Sequence, residues 1–222
     1  MPLDLPVHTP DHGGPNRPVD EVRAMALAVQ ANLVQLKVAD AKRRRLAPDS
    51  HEIEVPAPGH VKRYRETLID PVTIQRYTDI ELRLRLHEIW GRFCLTCWLF
   101  SIKEPCESST LANLPIDTHM HCGPVLEVKE AELHGLLWRI QFESRMRSDP
   151  EFRSAHGFDR RADLAAQIPV RAFDKPIAEC SDEDVLLAGC QHAGMLATTR
   201  WVADRTRNWN DPDLMTVNDL PF

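Results

Sequence analysis

Ile80-Glu81-Leu82-Arg83-Leu84-Arg85-Leu86 reads in two ways, and the choice decides the fold. Apolar residues alternate with charged ones, which is the pattern of a half-buried strand. The same leucines also open a longer series: Leu82, Leu86, Ile89, Phe93, Cys97 and Phe100. Those steps of four and three put one stripe on a helix. The helical series outlasts the alternation by about four turns, and no partner strand is evident. The stretch is therefore expected to be a helix. Asp70-Pro71 supplies its N-cap and first position.

Working outward, the 17 prolines fence the chain. They leave four long proline-free stretches, 19–47, 72–104, 125–149 and 177–211. Proline breaks helix interiors and suits helix starts, so this is helical punctuation. Val22, Ala26, Val29, Leu33 and Leu36 form the stripe of the first stretch, which ends in Lys42-Arg43-Arg44-Arg45. Cations there complement the helix dipole. Leu126, Leu133, Leu137 and Ile140 mark the third. Ser181-Asp182-Glu183-Asp184 opens the fourth, whose stripe is Leu187, Cys190, Gly194, Ala197 and Trp201. Gly189 and Gly194 weaken that helix unless a neighbour approaches closely. A short helix is expected from Pro150 to Gly157, and another over 159–168. The fold class is all-α: a bundle of about four long helices plus one or two short ones. It comprises a flexible segment 1–17, one helical domain 18–207 and an extended tail 208–222. Leu214, Leu220 and Phe222 of that tail are expected to dock on a neighbour.

A chain of 222 residues can bury a core without disulfides. Hydrophobic residues at 43% and charged ones at 27% exclude a disordered chain. The longest uncharged run, Val185 to Thr199, is too short and too polar to span a bilayer. The start, Met1 to Gly14, has no basic n-region and no apolar core, so it does not read as a signal peptide. These features lead to the expectation of a cytoplasmic protein with reduced thiols and no membrane contact. Net charge is −6, which argues against a general grip on nucleic acid. Lys42 to Arg45 with Lys62, Arg63 and Arg65 would be its local patch. A solvated helix end is the plainer reading.

Chemistry concentrates in 94–122. Cys94, Cys97, Cys106, His119, His121 and Cys122 are soft or borderline ligands in that single segment. Zinc takes four such ligands, and pairs three residues apart are an economical supply; four thiolates would also suit an iron–sulfur cluster. Cys94 and Cys97 lie in an apolar setting, however, and free cysteine is among the most buried residue types. Ligands and plain core residues are both consistent with the spacing. Glu127, Glu130 and His134 share a helix face but lack the Glu-x-x-His of di-iron bundles, so a solvated face is expected. His87 and His192 can reach a bundle interior, where a lone histidine is usually structural.

The Walker, nucleophile-elbow, His-Glu-x-x-His and dinucleotide fingerprints are missing. No catalytic residue is assigned. The expected function is a helical interaction protein, a subunit or adaptor of a larger bacterial-type assembly, with a protein partner or a second copy. Trp90, Trp98, Trp138, Trp201 and Trp209 are its candidate anchors or core fillers. The alternative is a zinc or iron–sulfur metalloprotein built on the 94–122 ligands.

Overall fold

Each long proline-free stretch holds one long helix. The computed structural model describes residues 16–45, 68–102, 119–205 and 207–215. The long helices are α1 (Val19–Arg43), α3 (Asp79–Leu99), α4 (Pro124–Ser148) and α6 (Asp182–Ala203). Two lesser helices, α2 (Pro71–Arg76) and α5 (Pro150–Gln167), lie between them. A two-residue hairpin, β1 (Arg171–Ala172) with β2 (Lys175–Pro176), and a 3₁₀ turn over Ile177–Glu179 lead into α6. The fold is all-α.

The helix beginning expected at Pro71 is two helices. Asp70 caps only α2, its carboxylate accepting from the Val72 N–H at 3.2 Å. Tyr77 is extended, and α3 restarts with its own capping box. The Thr78 hydroxyl accepts from the Glu81 N–H at 3.3 Å, and the Glu81 carboxylate accepts from the Thr78 N–H at 2.7 Å. Leu82 is fully buried while Ile80 is exposed, as a helix face requires. In α5 the two expected short helices meet at Gly157, whose φ of 67° breaks the run.

Ion pairs fix the helix directions. Arg43 at the end of α1 meets Asp79 at the start of α3 at 3.2 Å, so the two are antiparallel. Arg83 of α3 pairs with Glu183 of α6, both near their N-termini, so these two run parallel. Arg147–Asp182 at 3.0 Å and Arg200–Glu130 at 3.0 Å set α4 antiparallel to α6. The last helix is thus the central one, with α3 on one side and α4 on the other. The largest apolar cluster joins α1, α3 and the second half of α6. A second joins α4, α5, Leu95 and Leu196, and a third lies under the hairpin around Ile140.

The α3–α6 crossing is close because two glycines face backbone. A methyl on Gly91 would overlap the Gln191 carbonyl oxygen and sit 2.8 Å from its carbon. One on Gly194 would overlap the Glu88 carbonyl oxygen and sit 3.0 Å from its carbon. Gly189 has only Ile140 at ordinary contact, 3.6 Å.

Both ends of the chain's described part close on α6. The Arg17 guanidinium lies 4.1 Å over the Trp201 ring and donates to the carbonyls of Trp201 (2.6 Å), Asp204 (3.4 Å) and Arg207. It thereby serves carbonyls that a helix end leaves open. Where an extended tail is expected, Pro212–Met215 coils into a 3₁₀ turn. Trp209 and Leu214 belong to the main core. Leu220 and Phe222 lie outside the described residues.

Candidate functional site

The two candidate thiols on α3 differ in burial. Cys97 is wholly buried in the main apolar cluster. Cys94 is half-buried, and burial pushes its thiol up to about 11, with Lys37 pulling only weakly the other way. A thiol so raised stays protonated at neutral pH in the metal-free protein, which does not suit a nucleophile. His119, His121 and Cys122 lie just before α4. The two imidazoles are 6.3 Å apart, Trp98 packs on His121 at 4.9 Å, and Cys122 is exposed. Cys106 lies outside the described residues. Among the described residues, no three of His, Cys, Asp or Glu come together as a metal set.

His121 has a local job. Its N–H donates to the Leu99 carbonyl at 2.9 Å, and its Nε2 meets the Ser101 hydroxyl at 3.1 Å. Ser101 has φ 58°, the left-handed residue that ends α3. The Ser101 and Ile102 N–H groups turn back to Trp98 and Cys97, completing a Schellman motif. Among the described residues no carboxylate hydrogen-bonds His121, the place that the orienting acid of a catalytic triad would take.

Glu130 and His134 are not on a solvated face. Both are buried because α6 lies across that side of α4; only Glu127 is exposed. Glu130 takes Arg200 at 3.0 Å. His192 is lowered by burial, and its Nδ1 lies 2.9 Å from the Ala188 carbonyl. His87 is lowered by burial too, partly offset by a Gln191 hydrogen bond, and meets the Phe173 ring at 5.6 Å. The basic run at the end of α1 is engaged within the fold: Arg43 reaches Asp79 and the Ile74 carbonyl, and Arg44 reaches Asp40. Lys62, Arg63 and Arg65 lie outside the described residues. Trp138, Trp201 and Trp209 are buried; Trp90 and Trp98 are half-buried, with Lys37 and Lys129 over their rings.

Buried arginine–carboxylate sets carry most of the unanticipated polar structure. Wholly buried Glu143 receives Arg139 at 3.2 Å, Arg147 at 2.9 Å and Arg161 at 3.1 Å. Burial alone would raise its carboxyl; hydrogen bonds from Arg161 and Arg147, with the charges of Arg161 and Arg139, hold it low. Arg147 continues to the carbonyls of Cys180 (2.7 Å) and Ile177 (2.9 Å), locking the turn before α6. A sequence signal existed: Arg139, Glu143 and Arg147 step by four.

The second set forms the most site-like surface. Arg92 of α3 is buried, with its Nε on Glu88 at 2.9 Å. Its Nη2 has the Met215 sulfur at 3.7 Å, and Nη1 has no hydrogen-bond partner among the described residues. The Trp209 ring covers the guanidinium at 4.3 Å and meets Trp201 edge-on at 5.1 Å. Arg200 donates to the carbonyls of Asp213 and Leu214, both at 3.3 Å. Residues 208–215 therefore lie on a floor of Arg92, Arg200 and Trp201. No family model matches this chain, and neither the curated proteins nor the solved structures yield a match.

Proposed function

We propose that the chain is a helical interaction protein, a subunit or adaptor that works by binding another polypeptide. The supporting observation is the outer face of α4. Val125 and Val128, one turn apart, are 49% and 71% exposed. A valine is normally inside, and two together on a helix face otherwise bearing Glu132 mark a surface suited to a partner. Most buried polar groups described above are engaged in holding helices and turns, and no catalytic set is assembled among the described residues. Light scattering on the purified chain tests the reading. An oligomer or a co-purifying partner is expected, lost in Val128→Asp. A monomer whose wild type and Val128→Asp forms behave alike refutes it.

A metal-bound form is the second reading, favoured by the juxtaposition of His119 and His121 beside exposed Cys122. Elemental analysis of the protein as purified checks it. A structural site requires about one equivalent. Less than about a tenth of that sinks the reading. A Cys94→Ser, Cys97→Ser double variant tests the ligand assignment: it is expected to keep any metal, because Cys97 is wholly buried in the apolar core.

A further inference from the structure

We infer that the floor beneath residues 208–215 is a peptide-docking groove held closed by the chain's own tail, and that its partner is a segment presenting a carboxylate to Arg92 beside an aromatic anchor. The inference rests on the interaction reading above and names its site.

Three features make the tail a replaceable occupant. First, much of its grip is on backbone. Arg200 holds the carbonyls of Asp213 and Leu214, and Arg17 holds that of Arg207. Any chain in a similar conformation offers the same acceptors. Second, the side-chain anchors are few. Trp209 stacks on Arg92 and abuts Trp201, and Leu214 is buried in the main core. A large aromatic is a common anchor where one polypeptide docks on another. Third, the tail fits the floor imperfectly. Arg92 is 3% exposed, yet among the described residues its only hydrogen-bond acceptor beyond Glu88 is a thioether, a weak one, and Nη1 is unmet. A carboxylate at the place of Met215 would meet Nη1 and Nη2 with charge-assisted bonds. The occupant favoured by the floor is thus more acidic at that point than the tail it holds.

The probe is a fluorescein-labelled peptide of the Arg207–Met215 sequence, made with Met or with Glu at its last position. The target is the full chain, wild type and Trp209→Ala. The Glu peptide is expected to bind Trp209→Ala about tenfold more tightly than the Met peptide does, the difference between a charged and a weak acceptor. It is expected to bind wild type more weakly than Trp209→Ala, because the tail competes. In a Trp209→Ala, Arg92→Met chain the preference for Glu disappears. Equal affinity of the two peptides, equal binding to wild type and Trp209→Ala, or no binding overturns the inference. Should Trp209→Ala fail to fold, hydrogen exchange on wild type decides. Amides of 210–214 are expected to exchange while α3 and α6 remain protected; exchange only with global unfolding overturns the inference. Failure here leaves the Val128→Asp test untouched, so the two readings fall separately.

Discussion

Replacing Gly91 or Gly194 with alanine tests the closeness of the α3–α6 crossing. In an open helix the change stabilises by roughly 1 kcal/mol, since glycine loses more backbone freedom on folding. Here the new methyl meets a carbonyl group rather than a movable side chain. At Gly91 the Gln191 carbonyl carbon would have to retreat from 2.8 Å to at least 3.4 Å, and the oxygen further. The obstruction is backbone on both sides, so the helices must part. A gap of about half an ångström already forfeits a quarter or more of each dispersion contact along the seam. Overpacking of this kind costs about 3 kcal/mol or more against rigid surroundings. Net destabilisation of about 2 kcal/mol or more remains after the gain in helix propensity. For a chain of this length that lowers Tm by roughly 4–8 °C. The double variant should lose less than the sum, because one methyl already opens the crossing for the other. Gly135→Ala is the internal control: nothing lies within 4 Å of its position, so Tm should rise by a few degrees. Thermal melts followed by circular dichroism read all four. If Gly91→Ala or Gly194→Ala melts at or above wild type, the crossing is not this close and the packing argument fails.

Other expectations follow from the buried charges and the hairpin. Glu143→Gln leaves Arg139 buried without its counter-charge and should cost about 3 kcal/mol in urea denaturation; a loss under about 1 kcal/mol would contradict the buried network. Folded Glu143 sits below its ordinary 4.5, so in acid the unfolded chain binds a proton the folded one refuses. Stability should fall as pH drops below 4.5, and the fall should be shallower in Glu143→Gln. His87 and His192 are likewise held below 6.5, so they add a decline beginning near pH 6.5; a His87→Gln, His192→Gln chain with an unaltered pH profile between about 5.5 and 7.5 (one unit either side of 6.5) would contradict this. Phe173 and Asp174 have φ of 51° and 63°, a type I′ turn that disfavours phenylalanine. Phe173→Asn should raise stability by up to about 1 kcal/mol, and a drop would show that the His87 contact outweighs the strain.

The helices were legible because proline position and four–three spacing depend on the chain alone. Val22, Leu33, Leu82, Phe93, Leu133, Leu137 and Trp201 lie where their stripes place them. The break at Tyr77 was not, because Thr78 and Glu81 form a start signal inside a stretch that Asp70-Pro71 already seemed to open. Glu130 and His134 were misread because burial of a polar helix face depends on which helix covers it. Nothing local to α4 announces that α6 does. The hairpin escaped notice because two-residue strands carry no period. For the ligand cluster, proximity along the chain did not predict proximity in space. A helix set Cys97 into the core while the loop returned His121 to the helix end, beside Trp98 and Ser101.

The position of α6 has a consequence for how the protein is made. Synthesis delivers α1, α3 and α4 before the helix that lies between α3 and α4. Until about residue 200 has left the ribosome, the faces of α3 and α4 that await Leu196, Ala197 and Trp201 have nothing native to cover them. The nascent intermediate that lacks α6 is therefore the state most prone to aggregate or to recruit a chaperone.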